Sequence, residues 1–211
     1  MNCVDNLLKN VIAADCKKVA IAGIKGRVVI IPYDYIDRST IEYLVDFIDP
    51  QNPGKEVLDG FRLKAGKYGI AFDSLDNSAI GSVGTNRGTY RNTFIHNLTI
   101  RAFSKNTTIK DTINKMIGGR FIVVVKNFEE GRIAGEISGD WTSTYIEVYG
   151  INSGVKLAAI NGDTAFADGV TYELVFGSDD ISQEMKLPAG VAMDSGTLDI
   201  DVWFDSLYPK M

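Results

Sequence analysis

The stretch YRNTFIHNLTIRAFSKNTTIKDTINKMIGGRFIVVVKN (Tyr90 to Asn127) decides how this chain folds. It reads as strand, capped helix, strand. Over residues 93–103, Phe94, His96, Leu98, Ile100 and Ala102 alternate with Thr93, Ile95, Asn97, Thr99, Arg101 and Phe103. A period of two places unlike side chains on the two faces of a strand. Ile109, Ile113, Met116 and Ile117 then recur at helical spacing, which draws one apolar stripe along a short helix near residues 107–118. Thr108 followed by Asp111 resembles a capping box, and Gly118-Gly119 supplies a stop able to turn left-handed. The chain passes straight into Phe121-Ile122-Val123-Val124-Val125, a run that suits a central strand covered on both faces. The expectation is a helix packed over an antiparallel sheet, with no chemistry in these residues.

Outward from that centre, the other segments carry strand and turn signals. Gly23 and Gly26 bracket the entry to Arg27-Val28-Val29-Ile30-Ile31, which Pro32 closes. Residues 40–48 fit a strand or a helix equally, and Asp49-Pro50-Gln51-Asn52-Pro53-Gly54 is a loop. Residues 57–63 and 68–72 predict two strands, as do 144–149, 155–160 and 170–176. Residues 73–88, with three glycines and little apolar content, predict a long exposed loop, a kind that is usually functional or disordered. After Gly177 the chain reads as loop through Gly196, and Leu198-Asp199-Ile200-Asp201-Val202-Trp203-Phe204 alternates like a terminal strand or a docking tail. The fold class expected is mainly β: an antiparallel β-sandwich or barrel with one flanking helix. Residues 1–26 are expected to form a flexible N-terminal arm or short helix, 27–190 the core, and 191–211 a C-terminal strand or arm.

Composition bounds the function. A 211-residue chain with 45% hydrophobic and 10% aromatic residues buries a real core, and 21 glycines against five prolines suit many turns. The formal charge is −5 and the pI about 4.9, which argues against general nucleic-acid binding. No run approaches the roughly 20 apolar residues of a membrane-spanning helix, and the opening residues lack a signal-peptide pattern. Cys3 and Cys16 are too few for a disulfide framework and are expected to be reduced thiols.

Catalytic patterns are thin. The one histidine, His96, shares its strand face with Phe94, Leu98 and Ile100, as a core or interface histidine does. Cys3 and Cys16 have no histidine near them, and Asp34, Asp37, Asp73 and Asp76 lack the calcium-loop pattern. Glu129-Glu130 and Asp179-Asp180 sit in turns. Gly81, Gly84 and Gly88 lack the lysine and helix of a phosphate-binding loop. No enzyme, metal or cofactor is expected. Trp141, Trp203, Tyr145 and Tyr149 offer a possible carbohydrate-stacking patch, the basis of an alternative reading as a carbohydrate- or receptor-binding β-sandwich module.

Several segments together resemble virion structural proteins of tailed phages infecting gut Bacteroidota, the crAss-like group included. They are Asn2-Cys3, Asp15-Cys16 and Ala22-Gly23-Ile24, then Gly88-Thr89-Tyr90-Arg91-Asn92-Thr93-Phe94-Ile95-His96 and Phe103-Ser104-Lys105. Gly119-Arg120-Phe121, Ile146-Glu147-Val148-Tyr149-Gly150 and Gly154-Val155-Lys156-Leu157 complete the pattern. The resemblance is to tail-tube-like or neck ring proteins. It implies a β-sandwich or barrel subunit with a flanking helix, long loops and arms, and no catalytic residue. Such subunits form a homo-oligomeric ring in the virion, made in the host cytoplasm, that meets neighbouring rings, portal or tail proteins. Genomic DNA passes through the lumen without specific binding. On this reading the inter-subunit contacts come from Asn77, Ile80, Gly81, Val83, Gly84 and Asn86 in the loop, from Leu7, Leu8 and Val11 in the N-terminal arm, and from Trp203 and Phe204 at the C-terminal end.

Overall fold

The computed structural model describes residues 24–45, 56–73, 79–87, 92–103, 106–127, 146–162, 172–177, 184, 187–191 and 200–209. Within them the strands run β1 (Ile24–Pro32), β2 (Ile36–Asp37), β3 (Tyr43–Val45), β4 (Glu56–Leu58), β5 (Arg62–Leu63), β6 (Ile70–Asp73), β7 (Ala79–Arg87) and β8 (Asn92–Ala102). Helix α1 (Thr107–Met116) follows, then β9 (Arg120–Asn127), β10 (Ile146–Tyr149), β11 (Val155–Gly162), β12 (Tyr172–Gly177), β13 (Ala189–Val191) and helix α2 (Ile200–Ser206). Two single 3-10 turns, Tyr33–Tyr35 and Arg38–Thr40, flank β2.

The apolar run expected to be central is central. β9 lies antiparallel to β1, from Val28 opposite Val125 to Pro32 opposite Phe121. Because side chains alternate along a strand, Phe121, Val123 and Val125 face one core with Val28 and Ile30. Ile122 and Val124 face a second core with Val29 and Ile31. All nine are buried, so these strands read as continuous hydrophobic runs, as sheets covered on both faces do.

On its other edge β9 meets two strands in succession. β10 pairs with residues 123–126 and β11 with residues 120–121, so the sheet forks where the chain turns through residues 150–154. One limb continues β11, β12, β8, β7 and the other β10, β13, β4, β3. All pairings are antiparallel except β13 with β4. The first limb folds back over β1 and β9, bringing Leu98, Ile100, Leu174 and Phe176 into the first core, and β7 comes close to β1 without pairing to it. The barrel is therefore not closed. The mainly-β class with a flanking helix holds.

Helix α1 plugs the first core with Ile113 and Met116. Its N-cap is Asn106, whose side chain accepts from the Ile109 N–H at 2.8 Å, two positions earlier than the Thr108 box. Asp111 instead pairs with Lys115 one turn on. Ile117 ends the helix and stays exposed, and Gly118 takes the left-handed conformation expected of the stop.

Two expectations are corrected. Residues 79–87 are not a loop: β7 is a nine-residue strand paired with β8 along its whole length, from Ala79 opposite Ile100 to Arg87 opposite Asn92. The terminal segment is neither strand nor arm. It is helix α2, and Trp203, Phe204, Leu207 and Tyr208 are buried in the second core. The Trp203 indole N–H donates to the Phe61 carbonyl at 2.9 Å, and the two rings meet edge to face. Arg27 on β1 ties the same end down through a two-pronged ion pair with Asp73 and a 2.7 Å bond to the Tyr208 hydroxyl. The core thus extends past residue 190, and it begins at Ile24, inside the span assigned to the arm. Residues 1–23, with Cys3 and Cys16, lie outside the described residues.

Candidate functional site

β7 is the end of its limb. Among the described residues it pairs with β8 alone, so half of its backbone N–H and C=O groups point away from the sheet. The strand is long for an edge, since typical strands hold about five or six residues. Its sequence, Ala-Ile-Gly-Ser-Val-Gly-Thr-Asn-Arg, has no proline and no charge before Arg87, and its pairing with β8 runs without a bulge. Those are the usual devices that stop an edge from accepting another strand. Ile80 is 53% exposed and Val83 38%, so apolar side chains flank the open backbone.

The inward side of β7 explains its glycine. Ala79 is buried against the first core, and a Cβ on Gly81 would collide with the Tyr149 hydroxyl. The glycine lets β7 lie close over a buried tyrosine. Gly84, opposite Ile95, has ordinary room around it.

The expected contact residues therefore divide. Ile80, Gly81, Val83, Gly84 and Asn86 are brought together on one strand, with Asn86 opposite Thr93. Leu7, Leu8, Val11 and Asn77 lie outside the described residues. Trp203 and Phe204 are 4% and 1% exposed, so they serve this chain's own core and are not contact residues. Residues 79–86 carry no charge or proline that would break a strand, but the glycines hid the strand itself, and its place at an edge is set by the strand order alone.

The buried polar groups have structural work. His96 and Glu184 are fully buried, and both hold the turn at residues 150–154. His96 Nδ1 accepts from the Gly150 N–H at 3.1 Å, which places the proton of the neutral ring on Nε2. The Glu184 carboxylate accepts from the N–H groups of Asn152 and Ser153 at 3.2 and 2.7 Å, and its backbone exchanges two bonds with Phe94 on β8. Gly150 and Gly154 provide the positive φ angles that bend the turn. Tyr149 is buried beside His96 with its hydroxyl donating to Glu147 at 3.2 Å, and burial, then the Glu147 carboxylate, push its phenol above the ordinary value. A ring so enclosed offers no face to a sugar, while Trp141 and Tyr145 lie outside the described residues. No group of three or more metal-ligating side chains occurs among the described residues, and no helix there is long and apolar enough to cross a membrane.

Comparison of the chain with protein-family models, with curated proteins and with solved structures gives no match.

Proposed function

We propose that this chain is a structural subunit that assembles with copies of itself, forming a ring around the DNA channel of a tailed phage, in the tail tube or at the head–tail neck. The observation that carries the self-assembly is the β7 edge, a nine-residue strand paired on one side only among the described residues and flanked by exposed Ile80 and Val83. A strand supplied by a neighbour satisfies those backbone groups and covers both side chains, and closure into a ring removes the free edge from every copy. The virion setting rests on the sequence resemblance. The acidic balance supports it, since a net charge of −5 discourages phosphate binding in a channel through which DNA must slide. Neighbouring rings, portal or tail proteins are the further partners of this reading, and the site of action is the virion.

The test is the solution mass of the purified protein by light scattering, with negative-stain images of the same fraction. Rings or stacked tubes are expected. Ile80→Lys/Val83→Lys keeps the fold, because both side chains are exposed, and leaves a monomer. A variant that assembles like the parent removes β7 as the contact.

A further inference from the structure

Close to the fork of the sheet, two arginines stack on one tyrosine. The Arg38 guanidinium carbon lies 3.9 Å from the centre of the Tyr33 ring and that of Arg120 lies 5.8 Å from it. Arg38 Nη1 donates to the Ile151 carbonyl at 2.5 Å, and the Tyr33 hydroxyl donates to the Asn152 carbonyl. Arg120 is laid down by Gly154. A Cβ there would stand 2.6 Å from the Arg120 Cγ and 3.0 Å from the Tyr33 ring, so the glycine makes room for both. Lys156 on β11 sits directly opposite Arg120 on β9, and register partners in an antiparallel pair project from the same face.

Among the described residues no carboxylate pairs with Arg38 or Arg120, and Asp34, next to Tyr33, forms no ion pair with either. Both arginines are exposed; Arg38 lies over the ring and is tied to the turn through Ile151, and Arg120 lies farther from the same ring. The chain as a whole is acidic, 27 Asp and Glu against 22 Lys and Arg, and three of those cations are in this cluster.

We infer that Arg38 and Arg120, stacked on Tyr33 beside Lys156, form a docking site for carboxylates of a second copy of this chain. The inference rests on the self-assembly reading and adds a contact separate from β7. The Tyr33 ring and the Ile151 carbonyl hold Arg38 in place, so less of its side-chain entropy is lost when a carboxylate arrives. A net-negative partner supplies the complementary charge, which steers the encounter and fixes its orientation.

Sedimentation of the whole chain across a salt series tests this, comparing the parent with Arg38→Glu/Arg120→Glu and with Arg38→Lys/Arg120→Lys. The double reversal is expected to weaken association roughly tenfold at about 0.1 M salt, and the difference is expected to shrink toward about 1 M as screening shortens the reach of the charges. The lysine pair, which keeps charge and loses the fork, falls between. Thermal unfolding of each variant separates this from a folding defect, and Arg120→Glu alone serves if loss of the Arg38–Ile151 bond harms the fold. Equal assembly of the parent and the reversal overturns the docking site while leaving the β7 reading intact. Loss of binding to duplex DNA with no change in assembly overturns it in favour of a phosphate contact. A parent that stays monomeric at every concentration removes both.

Discussion

At the scale of single residues, Tyr149 connects packing with protonation. Its ring fills the space that a side chain at position 81 would take, so Gly81→Ala is expected to lower stability by about 1–3 kcal/mol through overpacking. Denaturant unfolding reads that loss, and Tyr149→Phe, which removes the colliding hydroxyl, is expected to restore part of it in the double variant. The same tyrosine sets a pH dependence. Its phenol is held above the ordinary value of 10.0, first by burial and then by Glu147. Above about pH 10 the unfolded chain releases this proton while the folded chain keeps it, so stability falls as pH rises. Tyr208 is shifted upward as well, chiefly by burial, and contributes in the same window. Unfolding of the parent and of Tyr149→Phe from pH 8 to 11 is therefore expected to show a shallower alkaline decline in the variant, with the remainder due to Tyr208. Identical slopes contradict the assignment. The lone histidine was legible at this scale, since a ring on the face of Phe94, Leu98 and Ile100 belongs in a core, and it is fully buried. Glu184 was not. A single carboxylate gives no sign in sequence that it will cap a turn about thirty residues away.

At the scale of elements, helix α2 contributes far more than its seven residues suggest. Trp203→Ala is expected to cost about 3–5 kcal/mol, since it leaves a cavity beside Phe61 and orphans the Phe61 carbonyl. Chemical denaturation checks this, and a loss below about 1 kcal/mol contradicts the packing described. The segment misled because Leu198 to Val202 alternates apolar and acidic residues, while the helical spacing of Trp203, Phe204 and Leu207 occupies only its last turn. β7 misled for the opposite reason. An edge strand buries little on one side, and Gly81 and Gly84 replace the large side chains from which alternation is read. β9 and α1 were plain, because a strand sandwiched between two cores leaves a continuous apolar run and a helix facing one core leaves a periodic stripe. Only the cap moved, from Thr108 to Asn106. Where burial is complete, on one face or on both, the sequence pattern is clear, and where glycines stand in for large side chains it fades.

At the scale of the whole molecule, the forked sheet leaves one limb ending on a nine-residue strand that, among the described residues, pairs on one side only, and it sets a charged cluster near the fork. The open edge was invisible in sequence, because it depends on β7 being last in the strand order. The consequence we propose is association, and the most direct measurement is the solution mass of the parent beside Ile80→Lys/Val83→Lys, with negative-stain images of both. The account predicts rings or stacked rings from the parent and a folded monomer from the variant. A parent that remains monomeric at high concentration, or a variant that assembles equally well, contradicts it.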